Sequence, residues 1–212
     1  DGETEMADNG HYYLPEDNHT AQIHVKNGKT LCFDLNGYTL TGESRAFYTA
    51  SGGNGTLNLM DSSQGKTGKV RGGSGINGAN AGFGGGVILV DKSNTLNLYG
   101  GTLELIKDDL HTVCSGGVLY VNGTVNMYGG TICGGYADSF TGQYISNGKV
   151  AEITRVGYGA SVLVNGTFNM YGGVVESGTL RLVTGSVGKD TLGNDISIQE
   201  ITEQEGVGDC IY

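Results

Sequence analysis

The sequence contains no tryptophan, a single proline, and no apolar run of the roughly 18 residues that a membrane-spanning helix needs. Charged residues make up only 16% of the chain, and its 12 lysines and arginines are outnumbered by 22 aspartates and glutamates. This acidic balance opposes contact with a phosphate backbone and excludes nucleic acid as the expected partner. The chain does not open with a signal-peptide pattern, so we expect a soluble protein or an excised ectodomain with no membrane span.

Glycine, in contrast, supplies 40 of the 212 residues, more than twice its usual share of roughly 7%. Collagen is excluded because the glycines follow no Gly-X-Y period and proline is almost absent. Each interior glycine costs a helix about 1 kcal/mol relative to alanine, and these glycines are spread along the whole chain. Alternating apolar runs such as Val118–Val121 oppose disorder. The glycines therefore indicate the turns of an all-β protein.

Internal repeats define the predicted architecture. Three copies are clear: GVILVD (86–91) leading to TLNLYGGT (95–102), GVLYVNGTVNMYGGT (117–131), and ASVLVNGTFNMYGGV (160–174). Two weaker copies are TLNLMD (56–61) and TLCFDLNG (30–37). Each copy contains three short alternating strands separated by glycine turns, which predicts a single-stranded right-handed parallel β-helix of about five coils. A β-propeller is the alternative, but its blades carry four antiparallel strands and lack the close Tyr-Gly-Gly-Thr spacing.

One domain covers the chain in this prediction. Residues 1–20 form an N-terminal cap, residues 21–180 form the coils, and residues 181–212 form a C-terminal cap or tail. The caps are expected because an open end of a solenoid exposes its core and its strand edges.

The outward positions of the coils supply the candidate ligand-binding residues. Stacking of the coils aligns one row of tyrosines and one row of asparagines, namely Tyr99, Tyr128, Tyr171 and Asn97, Asn126, Asn169. Aromatic rings beside amide donors suit contact with a glycan. The competing interpretation is that like residues stack because stacking stabilises a solenoid.

The insertions between coils form a second candidate surface. Residues 74–84, 104–115 and 134–158 all leave after the third strand of a coil, so they share one loop face. Loops on one face of a repeat protein often carry its binding function, so a partner or glycan surface is one interpretation. Solvated loops of variable length are the plainer one.

A catalytic or metal site is not predicted. Asp108 and Asp109 are paired carboxylates, but they lie on an insertion and not on a coil. The arginines do not recur beside acids at a fixed coil position, and they are Arg45, Arg71, Arg155 and Arg181. We therefore predict no catalytic residue, no metal ligand and no cofactor.

The four cysteines lack the close spacing of a zinc site. Cys114 and Cys133 stand close enough in the sequence to close a short loop, a disulfide that the chain-entropy model values at about 3 kcal/mol. Free thiols are the alternative, and the pairing of Cys32 and Cys210 would require the tail to fold back.

The segment GGVLYVNGTVNMYGGTI at 116–132 resembles the right-handed β-helix repeats of the pectate-lyase-like superfamily. It is still more similar to the coils of large secreted or wall-attached adhesin-like proteins of gut bacteria. That resemblance implies a bacterial, extracellular, non-enzymatic module, either an adhesin or a structural stalk, with a glycan or a surface protein as partner. The superfamily also includes polysaccharide lyases, glycoside hydrolases and phage fibres, which are the alternatives. The oligomeric state, the ligand and the parent protein stay open.

Overall fold

The computed structural model describes residues 3–5, 9–43, 45–49, 52–72, 85–106, 116–146, 149–155, 157–189 and 195–204. The regular structure in these ranges consists of strands, numbered β1 to β22 in chain order. The all-β prediction is therefore confirmed for the described part of the chain.

Three of the four sheets are parallel and contain six strands each. Face A consists of β1 (Glu3–Glu5), β4 (Gln22–Val25), β7 (Phe47–Thr49), β10 (Ile88–Val90), β13 (Leu119–Val121) and β18 (Val162–Val164). Face B consists of β2 (Gly10–Tyr13), β5 (Thr30–Asp34), β8 (Thr56–Met60), β11 (Thr95–Leu98), β14 (Thr124–Met127) and β19 (Thr167–Met170). Face C consists of β3 (Asn18–Thr20), β6 (Thr39–Gly42), β9 (Lys69–Gly72), β12 (Thr102–Leu105), β15 (Thr131–Cys133) and β20 (Val174–Val175).

The chain visits faces A, B and C in turn and then starts again, so each set of three strands is one rung of a parallel β-helix. The described residues contain six rungs, one more than the predicted number of about five. The additional rung lies within residues 1–20, which the sequence analysis assigned to a cap. Its strands pair with those of the second rung. Asn9 and His11 stand where the repeat has threonine and asparagine, so the sequence motif does not reveal this copy.

The register places like residues on like, as the repeats predict. On face B, Thr56, Thr95 and Thr124 lie opposite one another. The asparagines Asn58, Asn97, Asn126 and Asn169 form the neighbouring column. A slip by one residue would send every apolar side chain to the solvent face, so the buried core holds this register.

The core fills the space between the three faces. Leu57, Leu59, Leu96 and Leu98 are fully buried, and the residues between them are half-buried. Complete burial of a side chain of this size contributes about 1.5–3 kcal/mol. The last rung differs from the inner ones. The Met170 side chain points inward but is 47% exposed, whereas Leu98 and Met127 at the same position of the inner rungs are fully buried.

The corner between faces B and C has the same form in three successive rungs. Gly101, Gly130 and Gly173 have φ angles of 90°, 91° and 95°. This left-handed region suits glycine because a side chain there clashes with the backbone. The second glycine of the Tyr-Gly-Gly motif is therefore required by the turn.

A fourth sheet lies outside the three faces, with the order β17 (Lys149–Arg155), β16 (Tyr136–Ser146), β21 (Thr179–Lys189) and β22 (Asp195–Gln204). Strands β16 and β21 pair in parallel, and the other two pairs are antiparallel. The insertion 134–158, for which solvated loops were the plainer interpretation, thus contributes a hairpin. The predicted C-terminal cap contributes its described residues to the same sheet. The insertion expected from 104 begins later, because Glu104 and Leu105 belong to β12.

Candidate binding face

The three predicted tyrosines form a continuous stack at the end of face B. The ring centroids of Tyr99 and Tyr128 are 5.0 Å apart, and those of Tyr128 and Tyr171 are 5.1 Å apart. The ring planes are inclined by only 8° and 12°. Each tyrosine directly follows a face B strand and precedes the same Gly-Gly corner, so the rungs present the rings in the same orientation.

This stack determines which parts of the rings a ligand can reach. The inner ring faces cover one another, so Tyr99 and Tyr128, each about half exposed, present their edges and hydroxyl groups outward. Tyr171 is the last ring and is 68% exposed. The row therefore offers hydroxyl donors and acceptors along its length, and an open ring face only at its last member.

The asparagines form a hydrogen-bonded column next to the tyrosines. The Nδ2 atoms of Asn97, Asn126 and Asn169 donate to the Oδ1 atom of the preceding asparagine at 2.8, 2.9 and 2.9 Å. Asn58 begins the column and donates to the Sγ atom of Cys32 at 3.3 Å. An amide nitrogen has two N–H groups, so each asparagine keeps one for solvent or a ligand.

At the other end of the tyrosine row the same position is held by Asp34 and Met60. Asp34 Oδ1 accepts the N–H groups of Asn36 and Ser62 at 2.9 and 2.8 Å. Burial acts to raise the pKa of Asp34, but the hydrogen bonds from Ser62 and Asn36 outweigh it and hold that pKa below its usual value. The carboxylate at this position of the row is thus already used by the turn, and Tyr13 of the first rung lies opposite it.

The next corner residue, Asp61, has a structural role that the sequence did not reveal. Its Oδ1 atom accepts the N–H groups of Gly37 and Ser63 at 2.9 and 3.1 Å, and its Oδ2 atom accepts that of Gly68 at 2.7 Å. Burial acts to raise its pKa, but these hydrogen bonds prevail and lower it. Asp61 therefore binds two rungs together at the corner between faces B and C.

A row of charged and sulfur-bearing residues lies on face C. Glu104 accepts from Arg71 Nε at 2.8 Å and from Lys69 Nζ at 3.4 Å. Burial acts to raise the pKa of Glu104, but these two cations outweigh it and lower that pKa. Arg71 thus stands opposite an acid on the neighbouring strand, a pairing that the sequence analysis did not detect.

Cys133 follows Glu104 in this row. Burial raises the pKa of the Cys133 thiol, and the carboxylates of Glu104 and Glu176 raise it further. A raised pKa keeps the thiol protonated and makes it a poor nucleophile. Cys114, its predicted disulfide partner, lies outside the described residues, so the disulfide stays a prediction.

A buried ion pair between Asp138 and Arg181 is the main feature that sequence reasoning missed. Arg181 Nε contacts Asp138 Oδ1 at 2.6 Å, and a terminal guanidinium nitrogen contacts Oδ2 at 2.8 Å. Both side chains are essentially inaccessible to solvent. The Arg181 guanidinium also lies 3.8 Å from the ring centroid of Tyr136. The two residues are opposite each other in the parallel pair of β16 and β21, and no local pattern links them.

A cavity of about 240 Å³ lies beside this ion pair, where face C meets the fourth sheet. Its walls include Leu105, Tyr136, Ser177, Thr179 and Arg181. This volume lies below the range of about 300–1,000 Å³ that is usual for sites that bind drug-sized molecules, so only a smaller ligand would fit. The cavity therefore provides a second candidate site.

Two of the three predicted insertions cannot be placed relative to these sites. Residues 74–84 and 107–115, with Asp108 and Asp109, lie outside the described residues. Among the described residues, no three histidine, cysteine, aspartate or glutamate side chains gather as ligands of a metal ion would. The same ranges contain no helix that is long and apolar enough to cross a membrane.

Comparison with known proteins gives no match to a family model, to a curated protein or to a solved structure.

Proposed function

We propose that the chain is a secreted or cell-surface β-helical module of the adhesin or stalk kind, and that its tyrosine row contacts a glycan. The observation that carries the proposal is the stack of Tyr99, Tyr128 and Tyr171, whose hydroxyl edges are exposed beside a column of amide groups. Rings that served only the core would be buried. These rings instead present their hydroxyl groups to solvent at the ends of the face B strands.

The charge of this surface indicates the class of glycan. The tyrosine and asparagine rows contain neutral side chains, and Met60 separates the tyrosine row from Asp34. The whole chain has a formal charge of −10, which repels polyanions. A neutral glycan that bonds to hydroxyl and amide groups suits this surface better than one rich in sulfate or carboxylate.

Two substitution series test the proposal on an array of neutral and acidic glycans. Replacing all three tyrosines with serine removes rings and hydroxyls, and we expect glycan binding to be lost. Replacing them with phenylalanine preserves the stack and removes the hydroxyls, and we expect binding to be weakened. Tyr38→Ser is the matched control, since Tyr38 is 38% exposed and lies outside the row.

Circular dichroism and thermal unfolding establish that each variant is folded. Binding that is unchanged in the folded triple serine variant contradicts the proposal. Equal loss in the Tyr38→Ser control also contradicts it, because the effect would then not belong to the row.

The right-handed path and the kinship with pectate-lyase-like and adhesin-like proteins belong to the same proposal. Connections between parallel neighbouring strands are right-handed in nearly all proteins. The repeat of Tyr-Gly-Gly corners in successive rungs supports the adhesin-like kinship, and an extracellular or cell-wall location follows from it.

A polysaccharide lyase or glycosidase is the second candidate, favoured by the cavity beside Tyr136 and Arg181. Ser177 and Thr179 line this cavity, and their hydroxyl groups can bond to a sugar. The test is incubation with uronate-containing and neutral polysaccharides, with and without calcium, followed by detection of unsaturated or reducing ends. Turnover that is lost in a folded Ser177→Ala variant would support this candidate, and no turnover on any substrate would contradict it.

A further inference from the structure

The two ends of the solenoid are complementary to each other on faces B and C. The described residues provide no strand beyond β19 and β20 at one end, or beyond β2 and β3 at the other. Edge strands of stable monomers are usually protected by proline, lysine or other charges. The sequences of β19 (Thr-Phe-Asn-Met) and β2 (Gly-His-Tyr-Tyr) contain none of these.

The register extends the stacked rows from the last rung to the first. On face B, His11 holds the position of the asparagine column and Tyr13 holds that of the tyrosine row. On face C, His19 lies in the row that passes through Arg71 and ends at Glu176. Suppose that β2 and β3 of a second copy continued the sheets beyond β19 and β20. Three pairs of side chains would then lie opposite each other: Tyr13 on Tyr171, His11 on Asn169, and His19 on Glu176.

Each pair is chemically favourable. Tyr13 and Tyr171 are each 68% exposed, far more than the inner rings Tyr99 and Tyr128, and stacking would cover both. The Oδ1 atom of Asn169 ends the amide column as an acceptor, and an imidazole N–H group can donate to it. A histidine opposite Glu176 places a donor, and a cation when protonated, against a carboxylate.

The main chain of β19 is also ready for another strand. The N–H groups of Thr167 and Tyr171 bond back to Gly123 and Met127 on the preceding rung. Residues of a parallel strand bond alternately to its two neighbours, so Phe168 and Met170 direct their N–H and C=O groups away from the solenoid. The exposed Met170 side chain would become an inner core residue beneath the next rung.

From these matches we propose that the chain associates end to end, with the first rung of one copy continuing the ladder of the last rung of another. The contact lies on faces B and C, where the three matched pairs occur. Such a contact is head to tail and leaves both outer ends open, so it extends into filaments one solenoid wide. This self-association would cover the open ring face of Tyr171, but it leaves the hydroxyl edges of Tyr99 and Tyr128 on the side of the solenoid accessible to a glycan.

The first test is sedimentation of the full chain over a concentration series up to about 1 mM, because an interface of one rung belongs to the small and weak class. We expect the average mass to increase with concentration, and we expect negative-stain images to show thin filaments at the highest concentrations. A chain that stays monomeric over the whole series overturns the proposal.

A proline substitution tests the strand addition. Met170→Pro removes an N–H group that points away from the chain's own ladder, and we expect about tenfold weaker association with thermal unfolding little changed. Asn169→Pro is the contrast, because it removes an N–H group directed to β14, and we expect it to lower stability as well. Association that is unchanged in folded Met170→Pro protein overturns the proposal.

A charge exchange tests the face C pair. His19→Glu places a carboxylate opposite Glu176, and we expect association to weaken by more than about tenfold. The double variant with Glu176→Lys restores an opposite pair and should restore association. Glu43→Lys is the control, since Glu43 is exposed and lies on the second rung. The proposal is overturned if His19→Glu leaves association unchanged. It is also overturned if the double variant does not restore association.

Discussion

Replacement of Asp61 by asparagine tests the physical account of the corner between faces B and C. The Asp61 carboxylate is buried, at 4% exposure, and accepts three backbone N–H groups, two on Oδ1 and one on Oδ2. An asparagine oxygen can replace only one of these two oxygens. In the other position its Nδ2 group would face the N–H group of Gly68, so two donors would oppose each other.

The expected loss follows from these bonds. Asp61→Asn removes a hydrogen bond to a charged group and leaves the Gly68 N–H group buried without an acceptor, which together cost about 2–3 kcal/mol in free energy of unfolding. For a chain of this size that corresponds to a melting temperature lower by about 5–10 °C. Asp91→Asn is the matched control, because Asp91 accepts one N–H group from the adjacent Lys92, and its effect should stay below about 0.5 kcal/mol.

The pH dependence supplies a second readout for Asp61. Its pKa in the folded protein lies below the ordinary value of 3.8. The carboxylate therefore contributes its full stability above that value, and the contribution is lost as the pH falls through the folded pKa. The difference in melting temperature between the natural protein and Asp61→Asn should be large at about pH 7 and smaller at about pH 3.

Thermal unfolding by circular dichroism over that pH range measures both effects. The reasoning fails if Asp61→Asn destabilises no more than Asp91→Asn does. It also fails if the difference from the natural protein stays constant as the pH is lowered.

Three further substitutions follow from the same structure, with chemical unfolding as the measurement. Asp138→Ala leaves the buried Arg181 guanidinium without its carboxylate and should cost about 3–5 kcal/mol, whereas a cost below 1 kcal/mol would contradict the buried pair. Leu98→Ala should cost about 2–5 kcal/mol, and Leu182→Ala, at a 44% exposed position, much less. Asn126→Asp removes a donor from the middle of the amide column and should cost about 1–2 kcal/mol; no loss would show that the column adds no stability.

The tyrosines and the asparagines form two rows in the structure, and their function stays a proposal. The motif repeats without gaps, so the alignment of its copies is also the register of the strands. The outward position of Tyr128 follows from its place after Met127, whose side chain alternates inward. The sequence left open whether these rings contact a ligand or stack on one another, and the centroid distance of 5.0 Å between Tyr99 and Tyr128 shows that they stack.

The repeats alone thus determine the all-β class, the parallel stacking and the composition of each row, because identical segments must pack in the same way to bury their alternate apolar residues. Only the tertiary structure decided the first rung, the bonds to Asp61 and the contact of Asp138 with Arg181. These features join segments that have no common motif, such as β16 and β21. Their pairing depends on where each insertion returns to the solenoid, and no periodic signal in the chain carries that information.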